Sequence, residues 1–199
     1  MSVYRKIALC ACVLATVTLT SACALLKKPV PLTQLQLSLD VAELEWPARL
    51  ELGGVKARGI LQSDRVIVTN GALVMQHAGL RWVAAPATQL AEQLTMIRVV
   101  ASAPTVQQAP RQKKAAIFDV WLSNFNIAVH ENGDTSVEVT AWASVRCADA
   151  RTASQVPRVV IALPLNSTDP QRIADRFDAA ANLVFKSLLA QGAEKSSRC

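Results

Sequence analysis

Polar and apolar side chains alternate along residues 34–39 (QLQLSL) and 48–52 (ARLEL) with the period of two that a half-buried strand requires, and both stretches are predicted strands. Residues 64–76 (DRVIVTNGALVMQ) set Asn70-Gly71 between two apolar runs, the pattern of a β-hairpin whose turn accepts positive φ. The period then changes. From Pro86, a residue suited to a first helical turn, Leu90, Leu94, Ile97 and Ala101 recur on one helical face. Residues 102–114 hold two prolines and a basic end and read as an exposed loop.

Residues 115–129 (AAIFDVWLSNFNIAV) are apolar on both faces, as in a central strand. After a turn at HENGD, residues 135–147 alternate cleanly. Val137, Val139, Ala141, Ala143, Val145 and Cys147 fall on one face, and Ser136, Glu138, Thr140, Ser144 and Arg146 on the other. Trp142 breaks the pattern by falling on the polar face. Residues 157–165 (PRVVIALPL) continue an antiparallel meander. A last helix starts at Asp169-Pro170, carries Ile173, Phe177, Ala180, Val184 and Leu188 on one stripe, and is predicted to end at about Gln191, before Gly192. The expected fold is α/β, a single domain with a mixed, mostly antiparallel sheet packed with two main amphipathic helices.

The N-terminus follows another logic. Arg5 and Lys6 precede an uncharged run from Ile7 to Ala22, which has a signal-peptide layout and falls short of the roughly 20 strongly apolar residues of a spanning helix. Ser21-Ala22-Cys23 resembles the bacterial lipobox, except that Leu19 stands four positions before the cysteine instead of three. On that reading Cys23 is lipidated and becomes the first mature residue. The competing readings are cleavage near Ala22 by a general signal peptidase and an uncleaved helical anchor. Diacylation would make anchoring effectively permanent, since each buried methylene contributes about 0.8 kcal/mol. Residues 24–31, with two lysines and two prolines, then form a tether reaching roughly 25–30 Å from the lipid. The expected organisation is residues 1–22 as signal peptide, 23–33 as lipidated tether and 34–199 as one domain. The lipobox resemblance, with Ala24 after the cysteine, implies outer-membrane anchoring facing the periplasm.

Loss of Arg5 and Lys6 lowers the formal charge from +6 to +4, and the basic residues are scattered with no interleaved aromatics. A nucleic-acid surface needs more of both, so no nucleic-acid partner is expected. After cleavage three cysteines remain: Cys23, Cys147 and Cys199. Neither their spacing nor the isolated His77 and His130 suits a metal, and no cofactor is expected. In an oxidising compartment Cys147 and Cys199 tend to pair, the alternative being a buried Cys147 thiol.

Phosphate loops, nucleophile elbows and His-Glu-x-x-His are absent from the sequence. His130, Asp134 and Ser136 would make a hydrolase triad on paper, but they cluster at a turn where polar residues are expected anyway. Trp82, between hairpin and helix, reads as a core aromatic. Two readings stand for Trp142. With Thr140 and Ser144 it lies on an interaction surface, or else helix 86–101 or 170–191 covers that face and buries the ring.

Taken together, LTQLQL, residues 59–94 (GILQSDRVIVTNGALVMQHAGLRWVAAPATQLAEQL), AAIFDVWLSNF and the terminal DPQRIADRFDAAANLVFKSL resemble the ABC-type transport auxiliary lipoproteins. These are outer-membrane partners of MCE-type lipid transporters, as in the paraquat-inducible (Pqi) system. Arg81-Trp82 followed by the Pro86 helix is the most specific part. The family's early tyrosine is replaced by Leu35 and Leu37. The resemblance implies a non-enzymatic accessory that anchors or docks a trans-envelope complex. Its partners would be an MCE-family protein and an ABC permease/ATPase that moves phospholipid, and a homo-oligomeric ring is compatible with it. The alternative is a lipoprotein assembly factor for other outer-membrane components.

Overall fold

The computed structural model describes residues 31–101, 115–148 and 150–199. Among these residues seven strands form one mixed sheet: β1 (Thr33–Leu35), β2 (Leu50–Ala57), β3 (Arg65–Asn70), β4 (Leu73–Trp82), β5 (Ala116–Val129), β6 (Thr135–Arg146) and β7 (Ser154–Pro164). Among the described residues two α-helices accompany it, α1 (Pro86–Ala101) and α2 (Pro170–Ser197), with a short 3-10 turn at Gly59–Gln62. The sheet order is β1-β4-β3-β5-β6-β7, with β2 also on β5. The two longest strands are the ones the sequence marks most strongly. β5 and β6 pair antiparallel from Ile117 opposite Arg146 to Val129 opposite Thr135, and β7 extends this meander. The parallel pairings lie elsewhere: β1 runs alongside β4, while β2 and β3 share one edge of β5, flanking Ala116–Leu122 and Asn126–Val129 respectively.

One face of this sheet is the core. Phe118, Val120, Val137, Val139, Ala141 and Ala143 are fully buried and join one apolar cluster with the α1 stripe (Leu90, Leu94, Ile97) and the α2 stripe (Ile173, Phe177, Ala180, Val184, Leu188). Trp82 closes the corner between β4 and α1. Its ring stands edge-on to Phe125 at 5.4 Å and to Phe177 at 5.0 Å. Asp169 caps α2 by accepting from the Arg172 N–H at 3.0 Å, ahead of Pro170.

Four predicted features differ in detail. Residues 36–40 continue the alternation of Leu35, Leu37 and Leu39 into the core but lie beside no strand. The helices serve them instead. The N–H of Leu37 donates to Gln89 Oε1 (2.9 Å) and that of Leu39 to Gln93 Oε1 (3.3 Å), while Gln93 Nε2 donates to the Leu37 carbonyl (3.0 Å). The alternate N–H groups of Ser38 and Asp40 donate to Asp178 Oδ1 (2.9 Å) and Asn182 Oδ1 (3.0 Å) on α2. Period-two patterning reports which side chains are buried; here side-chain amides and a carboxylate take the place of a strand partner.

The predicted strand 48–52 is displaced to Leu50–Ala57, because Glu51 to Leu52 pair with β5 and the chain continues alongside it through a bulge at Gly53. In the hairpin Asn70 pairs with Leu73, so the two turn residues are Gly71 and Ala72. Only Gly71 has positive φ (54°), the arrangement of a II′ turn, in which Asn70 is free to remain a strand residue. Finally, α2 does not stop before Gly192 but runs through it to Ser197, for a packing reason that also brings Cys199 to Cys147.

Candidate functional site

The face of the sheet opposite the helices carries a row of side chains across three strands. Register sets Lys56 of β2 beside Trp121 of β5, and Trp121 directly opposite Trp142 of β6. The two indoles stack with centroids 4.2 Å apart and planes 7° from parallel. Lys56 Nζ stands 4.9 Å from the Trp121 ring centre and bonds Asp119 Oδ1 at 2.9 Å. A lysine so placed contributes about 0.5–1 kcal/mol by cation–π attraction at an exposed site, and an aromatic pair about 0.5–1.5 kcal/mol beyond its burial. The β2 bulge makes the row possible. A Cβ on Gly53 would stand 2.7 Å from Ile117 Cγ2 and 2.8 Å from Asp119 Oδ1, so glycine leaves the Asp119 carboxylate room to hold Lys56.

Neither Trp121 nor Trp142 belongs to the core cluster, and both are half-buried. The helices pack on the other face, so the reading in which α1 or α2 covers Trp142 is not what the structure adopts. The companion residues need a correction. Thr140 and Ser144 share the face of Trp142, but they are only 1% and 4% exposed and offer no contact surface. Short side chains on a pleated sheet sit below their longer neighbours, here Trp142 itself and, opposite Thr140, Asn124 and Val160. Among the described residues Thr140 Oγ1 and Asn126 Oδ1 are buried and find no hydrogen-bond partner, while Asn126 Nδ2 donates to Thr69 Oγ1 at 2.8 Å.

Cys147, just beyond β6, is joined to Cys199 at the end of α2 by a disulfide with a Cα–Cα separation of 5.5 Å. Cys23 lies outside the described residues. His130 Nε2 lies 2.8 Å from Ser136 Oγ, but the Asp134 carboxylate accepts from Asn132 Nδ2 at 2.7 Å instead of from the imidazole, and Ser136 is only 6% exposed. These three residues stabilise the β5–β6 turn and form no relay.

An open groove of about 740 Å³ lies between residues 42–47 and α2, floored by Trp46, Pro47, Leu189 and Ala193, with Glu43, Glu45 and Lys186 at its rim. The Trp46 indole Nε1–H donates to the Leu50 carbonyl at 2.8 Å. The Asp178 carboxyl is pushed up to about 6 by burial, against the lowering effect of the Ser38 N–H and with a further push from Asp175. Among the described residues no cluster of histidine, cysteine and carboxylates could hold a metal ion, and no helix is long and apolar enough to cross a membrane.

Two partners of Trp142 escaped the sequence reading. Trp121 stood in a run that is apolar on both faces, and Lys56 lay beyond the predicted strand; only the register of two pairings brings them together.

No protein-family model matches the chain, and no curated protein matches it. Among solved structures it is similar to the crystal structure of protein XCC0632 from Xanthomonas campestris, assigned to family DUF330. The TM-score is 0.64 at 15% identity, over 83% of this chain and 99% of that one. A second similar structure, of an uncharacterised protein, has a TM-score of 0.49 at 12% identity over 84% and 95% of the two chains. At 15% identity the likeness to XCC0632 extends to the single-domain α/β fold.

Proposed function

We propose that this protein is a non-enzymatic accessory lipoprotein, anchored at Cys23 in the outer membrane, that docks the MCE-family protein of an ABC-type phospholipid transporter through the open face of its sheet. The observation that carries the docking surface is the Lys56–Trp121–Trp142 row. Its two half-buried indoles are mounted on the most firmly paired strands of the sheet, on the face opposite the two described α-helices. Aromatic anchors dominate binding where a partner buries them, and anchors fixed on rigid strands lose little entropy on association. The resemblance in sequence supports the partner's identity, and residues 24–31 supply a tether between lipid and domain.

The test is recovery of the complex from detergent-solubilised envelopes with the tagged full chain. The wild type should bring down the MCE-family protein with its permease and ATPase, and the Trp121→Ala/Trp142→Ala variant should lose them while keeping a folded domain. Failure of the wild type to recover any of these components would overturn the reading; retention by the double variant would remove the docking face from it.

A further inference from the structure

β7 is the last strand of the sheet, and among the described residues no strand pairs with its outer edge. Leu165 donates its N–H to the Thr135 carbonyl at 2.8 Å, and the register continues with Leu163 opposite Val137, Ile161 opposite Val139 and Val159 opposite Ala141. Odd-numbered residues therefore direct their backbone groups to β6. The alternation of an antiparallel ladder turns those of Val160 and Ala162 outward. Sheet edges are ordinarily blunted by charge, proline or brevity. Here residues 158–163 read RVVIAL, with one charge followed by five apolar residues, and Val160 is 57% exposed. Pro157 and Pro164 stand immediately outside this window, and the β6–β7 register shifts between Ala141 and Ala143, so that Pro157 and Arg158 form a bulge opposite Trp142 and the regular alternation runs from Val159 onward.

We infer that this edge pairs antiparallel with the same edge of a second copy, about a two-fold axis at Val160, so that the sheet continues from one protomer into the other. The prolines select the register. With the axis at Val160, Arg158 stands opposite the partner's Ala162, and the paired window contains no proline. Moving the axis to Ile161 brings Pro164 opposite the partner's Arg158, where its missing N–H breaks the ladder.

Charge complementarity points the same way. On β6, Glu138 lies opposite Ala162. The proposed pairing sets the partner's Arg158 on the other side of Ala162, in the same row and on the same face. Only a methyl group separates the two charges, and the arginine side chain is long enough to cross it. The symmetry makes two such pairs per dimer. The occupant that fits the edge is thus another copy of this chain, which supplies both the matching strand and the matching charge.

The experiment uses the full chain in detergent micelles. In a hydrogen-bonded antiparallel pair directly opposed Cα atoms lie about 5.5 Å apart, within disulfide reach. Val160→Cys should therefore cross-link to itself on mild oxidation, while Val74→Cys, equally exposed on β4, should not. By sedimentation the wild type should be a dimer. Arg158→Glu should raise its dissociation constant at least tenfold, and adding Glu138→Arg should restore it, a rescue that rules out misfolding as the cause. A monomeric wild type, an Arg158→Glu variant that dimerises normally, or Val160→Cys cross-linking no better than the control would each overturn the inference, including the case in which the edge captures an extended segment of another protein.

Discussion

Gly192 of α2 lies so close to Phe118 of β5 that a Cβ there would stand 2.9 Å from the ring's Cε2 and 3.1 Å from Leu50 Cδ1. Phe118 is fully buried and has nowhere to move. Gly192→Ala should gain up to about 1 kcal/mol of helix propensity and lose about 1–3 kcal/mol to overpacking, for a net destabilisation of about 1 kcal/mol. Urea unfolding at unchanged m-value measures it, and a more stable variant would show that the close approach imposes no constraint.

The same continuation of α2 carries Cys199 to Cys147 across 52 residues of sequence. Cross-linking a loop of that length restricts the unfolded chain by about 4 kcal/mol on the chain-entropy account. Cys147→Ser/Cys199→Ser should thus lower stability by about 2–4 kcal/mol. Reductant should have a similar effect on the wild type and none on the variant.

Asp178 has its carboxyl pushed up from 3.8 to about 6, mainly by burial. Because the folded value exceeds the unfolded one, the carboxyl favours folding most below about pH 4, and that contribution is lost as pH rises through 6. Asp178→Asn keeps an oxygen for the Ser38 N–H and removes the buried charge. The variant should be more stable than wild type above pH 6 by about 1 kcal/mol, since water reaching the partly buried carboxyl screens its charge. The difference should vanish toward pH 4. Thermal unfolding across pH 4–8 tests this, and an equal or larger gain at pH 4 would contradict the assignment.

The elements most legible in the sequence are those whose signal is local. Val137 to Val145 alternate because β6 has one face in the core, and Asp169-Pro170 starts a helix because capping is decided within a single turn. What the sequence does not carry is pairing. The parallel alignment of β2 and β3 along one edge of β5 joins residues far apart in the chain, so Lys56 and Trp121 could not be assigned to Trp142 beforehand. Residues 36–40 have the periodicity of a strand because Leu37 and Leu39 enter the core, although Gln89, Gln93, Asp178 and Asn182 take up their backbone. Gly192 resembles a helix stop until Phe118 is found beneath it. Trp142 is legible as an exception to its own strand's pattern, but the burial of Thr140 and Ser144 depends on neighbours from β5 and β7.

Two tryptophans allow the core and the open face to be compared directly. Trp82 is 1% exposed and wedged between Phe125 and Phe177, whereas Trp142 is half-buried, stacked on Trp121 alone and outside the core cluster. Trp82→Ala should cost about 3–5 kcal/mol, the usual range for a large buried aromatic. Trp142→Ala loses one stacked pair and part of one ring's burial, and should cost about 1–2 kcal/mol. Lys56→Ala removes a contact that is half open to solvent and should change stability by under about 1 kcal/mol. Chemical denaturation of the three variants, read by far-UV circular dichroism, ranks them. If Trp142→Ala proved as damaging as Trp82→Ala, the open face would be structural in origin, and the docking role argued for its indoles would lose its physical basis.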